Sequence, residues 1–419
     1  MQARLLNHSY QQDVDTLMKR IGVDDYGVRI MRSKSLLRII YLRGVSSFSA
    51  NVLKQETLSL GADVALPRRA LFQDRPTECI LFATDSQIEK LLKKLKVQPH
   101  SLKEIGALIR QSLVNFRRDN FILKTPGHTL HINKPLVMGI LNLTPDSFSG
   151  DGLIRPQAAG LPAACLPARQ GRQGFKLQDI LLKRVTEMVK DGADLIDVGG
   201  ESTRPGSRAV SEKEELERIV PAVKMIRKRF SRMPISIDTR KPKVARAAVG
   251  EGACIINDVT ALKDPAMARL AAAKKTGVVL MHMKGSPRTM QKKPSYRDTV
   301  KEVYDFLDAA VNRAQAAGID RDRIIVDVGI GFGKRLSDNL TLIKHLYEFK
   351  ALGRPILIGT SRKSFIGSVL KQRDPGQRLA GSLASLVISV LNGAKILRVH
   401  DLVQARQAIT MADSILSSW

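Results

Sequence analysis

The chain has 419 residues, 43% of them hydrophobic and 5% aromatic, with 68 Lys and Arg against 40 Asp and Glu. That is long enough for a barrel plus something smaller, and no stretch approaches the roughly 18–20 consecutive apolar residues of a membrane span. The net charge of +28 is spread over both halves and is not interleaved with aromatics, so it reads as attraction for an anionic substrate or as a solubility trait; neither nucleic acid nor a membrane is expected as a partner.

The opening MQARLLNHSY has no apolar core, so no secretory signal is expected. Cys79, Cys165 and Cys254 have no metal-ligand spacing and suggest no disulfide framework, and a cytoplasmic location is expected. Residues 1–130 read as a small α/β domain with a linker. QQDVDTLMKRIG is a short helix, SLLRIIYLRG a strand, and SSFSANVLKQETLSLG a helix with cap residues at its start and Gly at its end. ADVALP and ECILFA read as strands; SQIEKLLKKLK and LKEIGALIRQSLVNF carry helical periodicity. This alternation suits a small ferredoxin-like sandwich. RRDNFILKTPGHTLHINKP reads as a linker plus a hairpin that closes the bottom of the larger, C-terminal domain.

Residues 131–419 carry eight short apolar runs, each ending in polar or charged residues: VMGILN, LIDVGGESTRPG, ISIDTRKP, CIINDV, VVLMHMKG, IIVDVGIGFGK, ILIGTSRKS and ILRVHD. Eight strands with helical segments between most of them predict an α/β fold, a (β/α)8 TIM barrel, whose active site is built at the C-terminal ends of the strands. SEKEELERIVPAVKMIRKRF is one such helix, with Ser211 and Glu214 at capping-box spacing. Arg155 to Gly174, rich in Ala, Pro, Gly and Gln, reads as a mobile insertion overhanging the first strand's end.

Asn142, Asp197, Asp238, Asn257, His282, Asp327, Lys363, Arg398 and His400 should then face one mouth. Carboxylates there accept hydrogen bonds from ring N–H and amino groups, and cations clamp phosphate oxygens. Barrel phosphate sites commonly lie by strands seven and eight, which here supply Ser361, Arg362, Lys363, Arg398 and His400. Asp194 and Asp197 read equally as strand-edge acids. Asp238 and Asp327 follow apolar runs, and a buried carboxylate needs a partner. His282 reads equally as a core histidine, and Gly331 and Gly333 as a phosphate-loop fragment without the full spacing.

MGILNLTPDSFS, IDVGGESTRPGS, SIDTRKP, IINDV, LMHMKGSPRTMQ, GIGFGK, GTSRKSFIG and RVHD, in this order, resemble dihydropteroate synthase, over about residues 136–410 and in a form with an N-terminal extension. The resemblance implies that 7,8-dihydropterin-6-ylmethyl diphosphate is joined to 4-aminobenzoate, releasing pyrophosphate, a transferase step of folate biosynthesis. It implies that Asp238, Asn257, Asp327 and Lys363 hold the pterin, with Met281 along its face. It implies that Thr203, Arg204, Arg398 and His400 grip the diphosphate, that Asn142 ligates Mg²⁺, and that Phe148, Pro205 and Ser364 shape the aminobenzoate pocket. Asp327, Lys363 and Arg398 are the implied catalytic residues. The implied chemistry breaks the pterin C–O bond first, and the loops after strands one and two close to exclude water. A homodimer is implied as well. The chain departs from the family's usual pattern at DSFSGDG, where Asp151 sits one place late, and at Val328, where Pro is usual. Two other readings are a methyltetrahydrofolate-dependent methyltransferase, which needs no diphosphate grip, and a pterin-binding regulatory protein without turnover.

Overall fold

The computed structural model describes residues 11–70, 75–143, 172–202, 210–287 and 289–417. The chain forms two compact units, 1–114 and 115–419.

The first unit runs α1 (Gln11–Arg20), α2 (Asp25–Arg32), β1 (Leu37–Val45), α3 (Ser47–Leu58), β2 (Asp63–Ala65), β3 (Thr77–Thr84), α4 (Asp85–Leu95) and α5 (His100–Phe116). The strands form an antiparallel sheet in the order β1-β3-β2. This is the strand order of a ferredoxin-like sandwich with no fourth strand beside β1 among the described residues; the long periodic segment after α4 is helix α5 instead. On β3, Thr77, Cys79, Leu81 and Ala83 are buried in alternation, and Leu53, Ile88, Leu91, Leu95, Leu102 and Ile109 of the helices pack over them. α4 has a full capping box between Thr84 and Gln87. α2 is unanticipated by the sequence reading: Gly27 in its first turn weakens helix propensity, and the Asp24 side chain, which accepts from Gly27 N at 2.7 Å, compensates at its start.

In the second unit the hairpin β4 (Phe121–Thr125) and β5 (His128–Ile132) precedes a closed parallel barrel of eight strands. These are β6 (Leu136–Asn142), β7 (Leu195–Gly199), β8 (Ile235–Asp238), β9 (Ile255–Asp258), β10 (Gly277–Met281), β11 (Ile324–Asp327), β12 (Ile356–Ile358) and β13 (Ala394–Val399). The helices outside are α6 (Arg172–Lys190), α7 (Glu212–Arg229), α8 (Pro242–Gly250), α9 (Pro265–Lys274), α10 (Thr299–Ala316), α11 (Leu336–Lys344), α12 (Ser364–Leu370), α13 (Leu379–Leu391) and α14 (Leu402–Ser417). Ser211 caps α7 as its spacing predicts, accepting from Glu214 N at 3.2 Å. Of residues 155–174, only 172–174 fall within the described residues, at the start of α6; the rest of that stretch lies outside them.

Side chains alternate across a strand, so residues two apart share a face. The inward row near the N-terminal ends is Met138, Leu195, Ile255, Val279, Ile325, Leu357 and Ile396, and it forms one cluster with Phe121, Leu123 and Ile132 of the hairpin. The hairpin thus closes the barrel's bottom with apolar side chains. Two residues further on, the same inward face carries Asp197, Asn257, Met281, Asp327 and Arg398, with Ser236 followed by Asp238 on β8. A dry lower layer therefore fixes a polar upper layer in register. The outward faces pack on the helices through Ile196, Val198, Ile256, Val326, Phe349 and their neighbours.

Phe121→Ala removes the ring that plugs the barrel and should lower the barrel's stability by about 3–5 kcal/mol. Urea unfolding of the full chain, followed by a barrel probe, reads this as an earlier transition; an unchanged midpoint would show that the hairpin is not a plug.

Candidate active site

The floor of the mouth is a network of three strand ends held by a fourth. The Arg398 guanidinium donates from Nε to Asp197 Oδ2 at 2.6 Å and from Nη2 to Asp238 Oδ2 at 3.0 Å. Asn257 Nδ2 donates to the same Asp197 oxygen at 3.1 Å. Asp197 is fully buried within this network. Asp194, by contrast, ties the barrel's other end, accepting from Val137 N and Arg406. One oxygen of each paired acid, Asp197 Oδ1 and Asp238 Oδ1, is buried with no partner among the described residues. Such acceptors are costly to leave empty. Burial lifts the Asp238 pKa to about 7 against the pull of Arg398, with Asp197, Glu215 and Asp258 pushing the same way as burial.

Across the mouth, Asp327 accepts from Gly329 N at 2.7 Å, and burial raises its pKa against the charge of Lys363. Lys363 Nζ donates to Ile330 O and stands 4.9 Å from the Phe332 ring centre; burial brings its pKa down to about 8, opposed by Asp327. Both groups depend on the turn Gly329–Lys334. A Cβ on Gly329, at φ +68°, would stand 1.9 Å from the His282 carbonyl oxygen, and one on Gly333, at φ +64°, would stand 2.3 Å from that of Lys284. Only glycine allows that turn to press against the segment after β10. The glycines of GIGFGK thus serve backbone packing, and the Lys363 side chain lies over Gly331.

His282 does not join the cluster. Met281 is the inward residue at the end of β10, so the next side chain points outward: the His282 ring packs edge-on against Phe306 of α10 at 4.9 Å. Its Nδ1 is 2.9 Å from Lys334 Nζ, which also donates to the carbonyls of Gly329 and Phe332 at 2.8 and 3.2 Å. Burial and Lys334 drive the His282 pKa down to about 2, so it is a neutral acceptor for a buried lysine. Met281 itself joins Val259, Met283, Met290 and Phe332 in an apolar wall beside the acids.

On the rim by β12 and β13, His400 lies beside Ser361, its Nδ1 3.1 Å from Ser361 Oγ. Arg362 adopts φ +57°, strained for a non-glycine, and is strapped by Asp401 through contacts of 3.1 and 2.5 Å and by Ser382 Oγ, which accepts from its backbone N. That strap sets where Lys363 and His400 stand. Ser364 is exposed as the first residue of α12. Asn142 ends β6, half-buried, with its Oδ1 3.4 Å from a Cβ built on Gly199; it has no hydrogen-bond partner among the described residues. No group of three or more His, Cys, Asp or Glu suited to an ion occurs among the described residues. Phe148, Asp151, Thr203, Arg204 and Pro205 lie outside the described residues.

Several supporting groups carry no role in the sequence reading. Glu201 and Lys241 both hold Val210: Glu201 Oε1 accepts from Val210 N at 3.2 Å, and Lys241 Nζ donates to Val210 O at 2.7 Å. Lys241 also pairs with fully buried Glu215, which accepts from Thr239 Oγ1 at 2.6 Å, directly after Asp238. The available signal was an acid at a core-facing position of an amphipathic helix, Glu215 standing four residues before buried Ile219. For Lys334 the signal was a lysine at the end of a glycine turn beyond a strand.

Residues 138–400 match the family described as "Pterin binding enzyme". The chain is 42% identical over 292 residues to the dihydropteroate synthase of Escherichia coli K12, a match covering 70% of this chain and 95% of that one. A bifunctional folylpolyglutamate synthase/dihydropteroate synthase of Halobacterium salinarum is 36% identical over 412 residues, which is 96% of this chain and 47% of that protein, so the first unit is matched as well. The solved structure of Xanthomonas albilineans dihydropteroate synthase in complex with 7,8-dihydropteroate superposes with a TM-score of 0.60 at 35% identity, covering 71% of this chain and 100% of that one. Eight ordered strand-end motifs, a closed barrel with those residues at one mouth, and these relatives agree: the chain belongs to the dihydropteroate synthase family of pterin-binding enzymes.

Proposed function

We propose that the chain joins 7,8-dihydropterin-6-ylmethyl diphosphate to 4-aminobenzoate, giving 7,8-dihydropteroate and pyrophosphate. The observation that carries this reading is the pair of unpartnered buried carboxylate oxygens on Asp197 and Asp238, at one mouth with Asp327, Asn257, Lys363 and Arg398. An aminopyrimidine presents the N–H donors those oxygens lack. Asp238, Asn257 and Asp327 hold its polar edge, Lys363 reaches its carbonyl side, and Met281 lies along its face in the apolar wall with Phe332.

Arg398 holds the two floor acids with two of its nitrogens, and its remaining Nη1 is the group offered to diphosphate oxygens beside His400. Thr203 and Arg204 complete that grip; Phe148, Pro205 and Ser364 shape the aminobenzoate end. Asn142 would hold Mg²⁺: a lone neutral carboxamide suits an ion that keeps waters and takes its other oxygens from a diphosphate. When bound, the ion supplies charge neutralisation to the leaving group. The C–O bond to diphosphate breaks first and its electron pair leaves with pyrophosphate. Asp327 and the neighbouring acids offset the positive charge left on the pterin methylene. The neutral amine then forms the C–N bond and gives up a proton to solvent, so no strong base is needed. Arg398, His400 and Lys363 together favour this over the methyltransferase reading, which needs no diphosphate grip.

We also place the protein in the cytoplasm, a reading supported by the buried free thiols of Cys79 and Cys254. We take it to be a homodimer. Exposed Val369 and Leu370 on α12, Ile388 and Leu391 on α13, and Met411 and Ile415 on α14 support that assembly.

Pyrophosphate release by the full chain, with dihydropterin diphosphate, 4-aminobenzoate and Mg²⁺, tests the reading. Release should require 4-aminobenzoate and fall about 100-fold or more in kcat/KM for Lys363→Ala, the loss of a charge-assisted contact plus its neighbour's partner. Release independent of 4-aminobenzoate, or none while the diphosphate substrate still binds, would contradict it. The pH profile is a second check. Asp238 is charged above its pKa of about 7, and Lys363 is charged below its pKa of about 8. kcat/KM should therefore be bell-shaped with its plateau between those values, because it reports groups of the free enzyme. Lys363→Arg should move the alkaline limb upward, and a flat profile from about pH 6 to about pH 9 would refute the assignment.

A further inference from the structure

The opposite end of the barrel holds a charge cluster that the proposed reaction does not use. Arg118 lies just before β4, Arg321 opens the short 3-10 turn Arg321–Arg323 before β11, and Arg354 lies two residues before β12. All three border one small cleft, along with Phe121, Leu123 and Pro355. β11 separates it from Asp327 by four residues, about 13 Å at the usual strand rise. It is therefore distinct from the mouth.

Arg354 is only 3% exposed, yet its contacts are few. Its Nη1 donates to Arg321 O at 2.8 Å, its Nε has no partner, and it makes no ion pair among the described residues. Arg321 Nη2 donates to Asn115 Oδ1 at 3.0 Å, and burial together with the charge of Arg118 lowers its pKa. Arg118 lies 5.0 Å from the Phe121 ring centre and donates from Nε to Asn120 O at 3.3 Å. The carboxylates nearby are already occupied. Asp322, which also lines the cleft, pairs with Lys124 at 2.8 Å, and Asp119 pairs with Lys350 at 2.9 Å.

A guanidinium taken out of water without a counter-ion is strongly unfavourable. Two further guanidiniums at the same cleft add repulsion. An anion held between them would offset much of that charge and give Arg354 the counter-ion it lacks. Guanidinium forks match the oxygens of a tetrahedral oxyanion. We propose that this cleft at the N-terminal end of the barrel binds a small oxyanion of the phosphate class, seating the hairpin β4–β5 against the starts of β11 and β12.

The test is calorimetric titration of inorganic phosphate into the full chain with Mg²⁺ and saturating dihydropterin diphosphate, without 4-aminobenzoate, so that the mouth is already filled. One equivalent should bind, sulfate should compete, and chloride at the same concentration should not. The double variant Arg118→Ala with Arg321→Ala alters exposed residues remote from the mouth; it should weaken phosphate at least tenfold and keep wild-type turnover. In Arg354→Met the rise of the thermal midpoint with phosphate should disappear. No binding beyond the mouth, equal binding by the double variant, or equal competition by chloride would overturn the proposal.

Discussion

Two carboxylates from neighbouring strands, Asp197 of β7 and Asp238 of β8, are taken out of water against a single guanidinium, that of Arg398 on β13. Each acid alone would be costly at that depth, and a pair of them more so, because like charges at close range oppose ionisation. Arg398 offsets both at once by presenting Nε to one and Nη2 to the other, a task for a planar fork rather than a point charge. The other arrangements depend on it. Asn257 adds a second bond to Asp197 Oδ2, and the other oxygen of each acid is left without a partner among the described residues. The same contact joins strands on either side of β6 and so holds the barrel closed where the dry lower layer ends.

Asp327 and Lys363 form the second half of the floor, and their support is built differently. The turn after β11 is bent by glycines at positive φ until its backbone touches the segment after β10, and Lys334 ties that turn from beneath. Lys334 makes no ion pair with a carboxylate among the described residues; burial lowers its pKa to about 7, and carbonyls with a neutral histidine accept its protons. On the other side, the Arg362–Asp401 pair holds a strained residue immediately before Lys363. Both the acid and the lysine are thus positioned by neighbours that do not face the mouth.

The strand ends were the readable part of this chain. Short apolar runs ending in Asp, Asn, Lys or Arg lay at spacings that a barrel explains. Asp197, Asp238, Asn257, Asp327, Lys363, Arg398 and His400 were legible on that basis, and Met281 only through the family resemblance. His282 was misplaced because parity within β10 assigns Met281 to the inside, which a run of Met-His-Met does not announce. Lys334, Glu215, Lys241 and Asp401 act through tertiary pairing with residues far along the chain, and no local pattern marks such pairing. The short helix α2 was hidden by a glycine in its first turn. The first unit's three strands were legible as such, and the described residues add no fourth.

The dependence of the floor on Arg398 is tested most directly by the Arg398→Lys variant, with calorimetric affinities for dihydropterin and for its diphosphate ester measured side by side. A lysine keeps the charge but cannot bridge Asp197 and Asp238. If the guanidinium sustains the pterin floor as well as the diphosphate grip, both ligands should bind at least about tenfold more weakly than to the wild-type chain. Wild-type affinity for dihydropterin, with only the diphosphate ester weakened, would contradict the account and reduce Arg398 to an anion clamp.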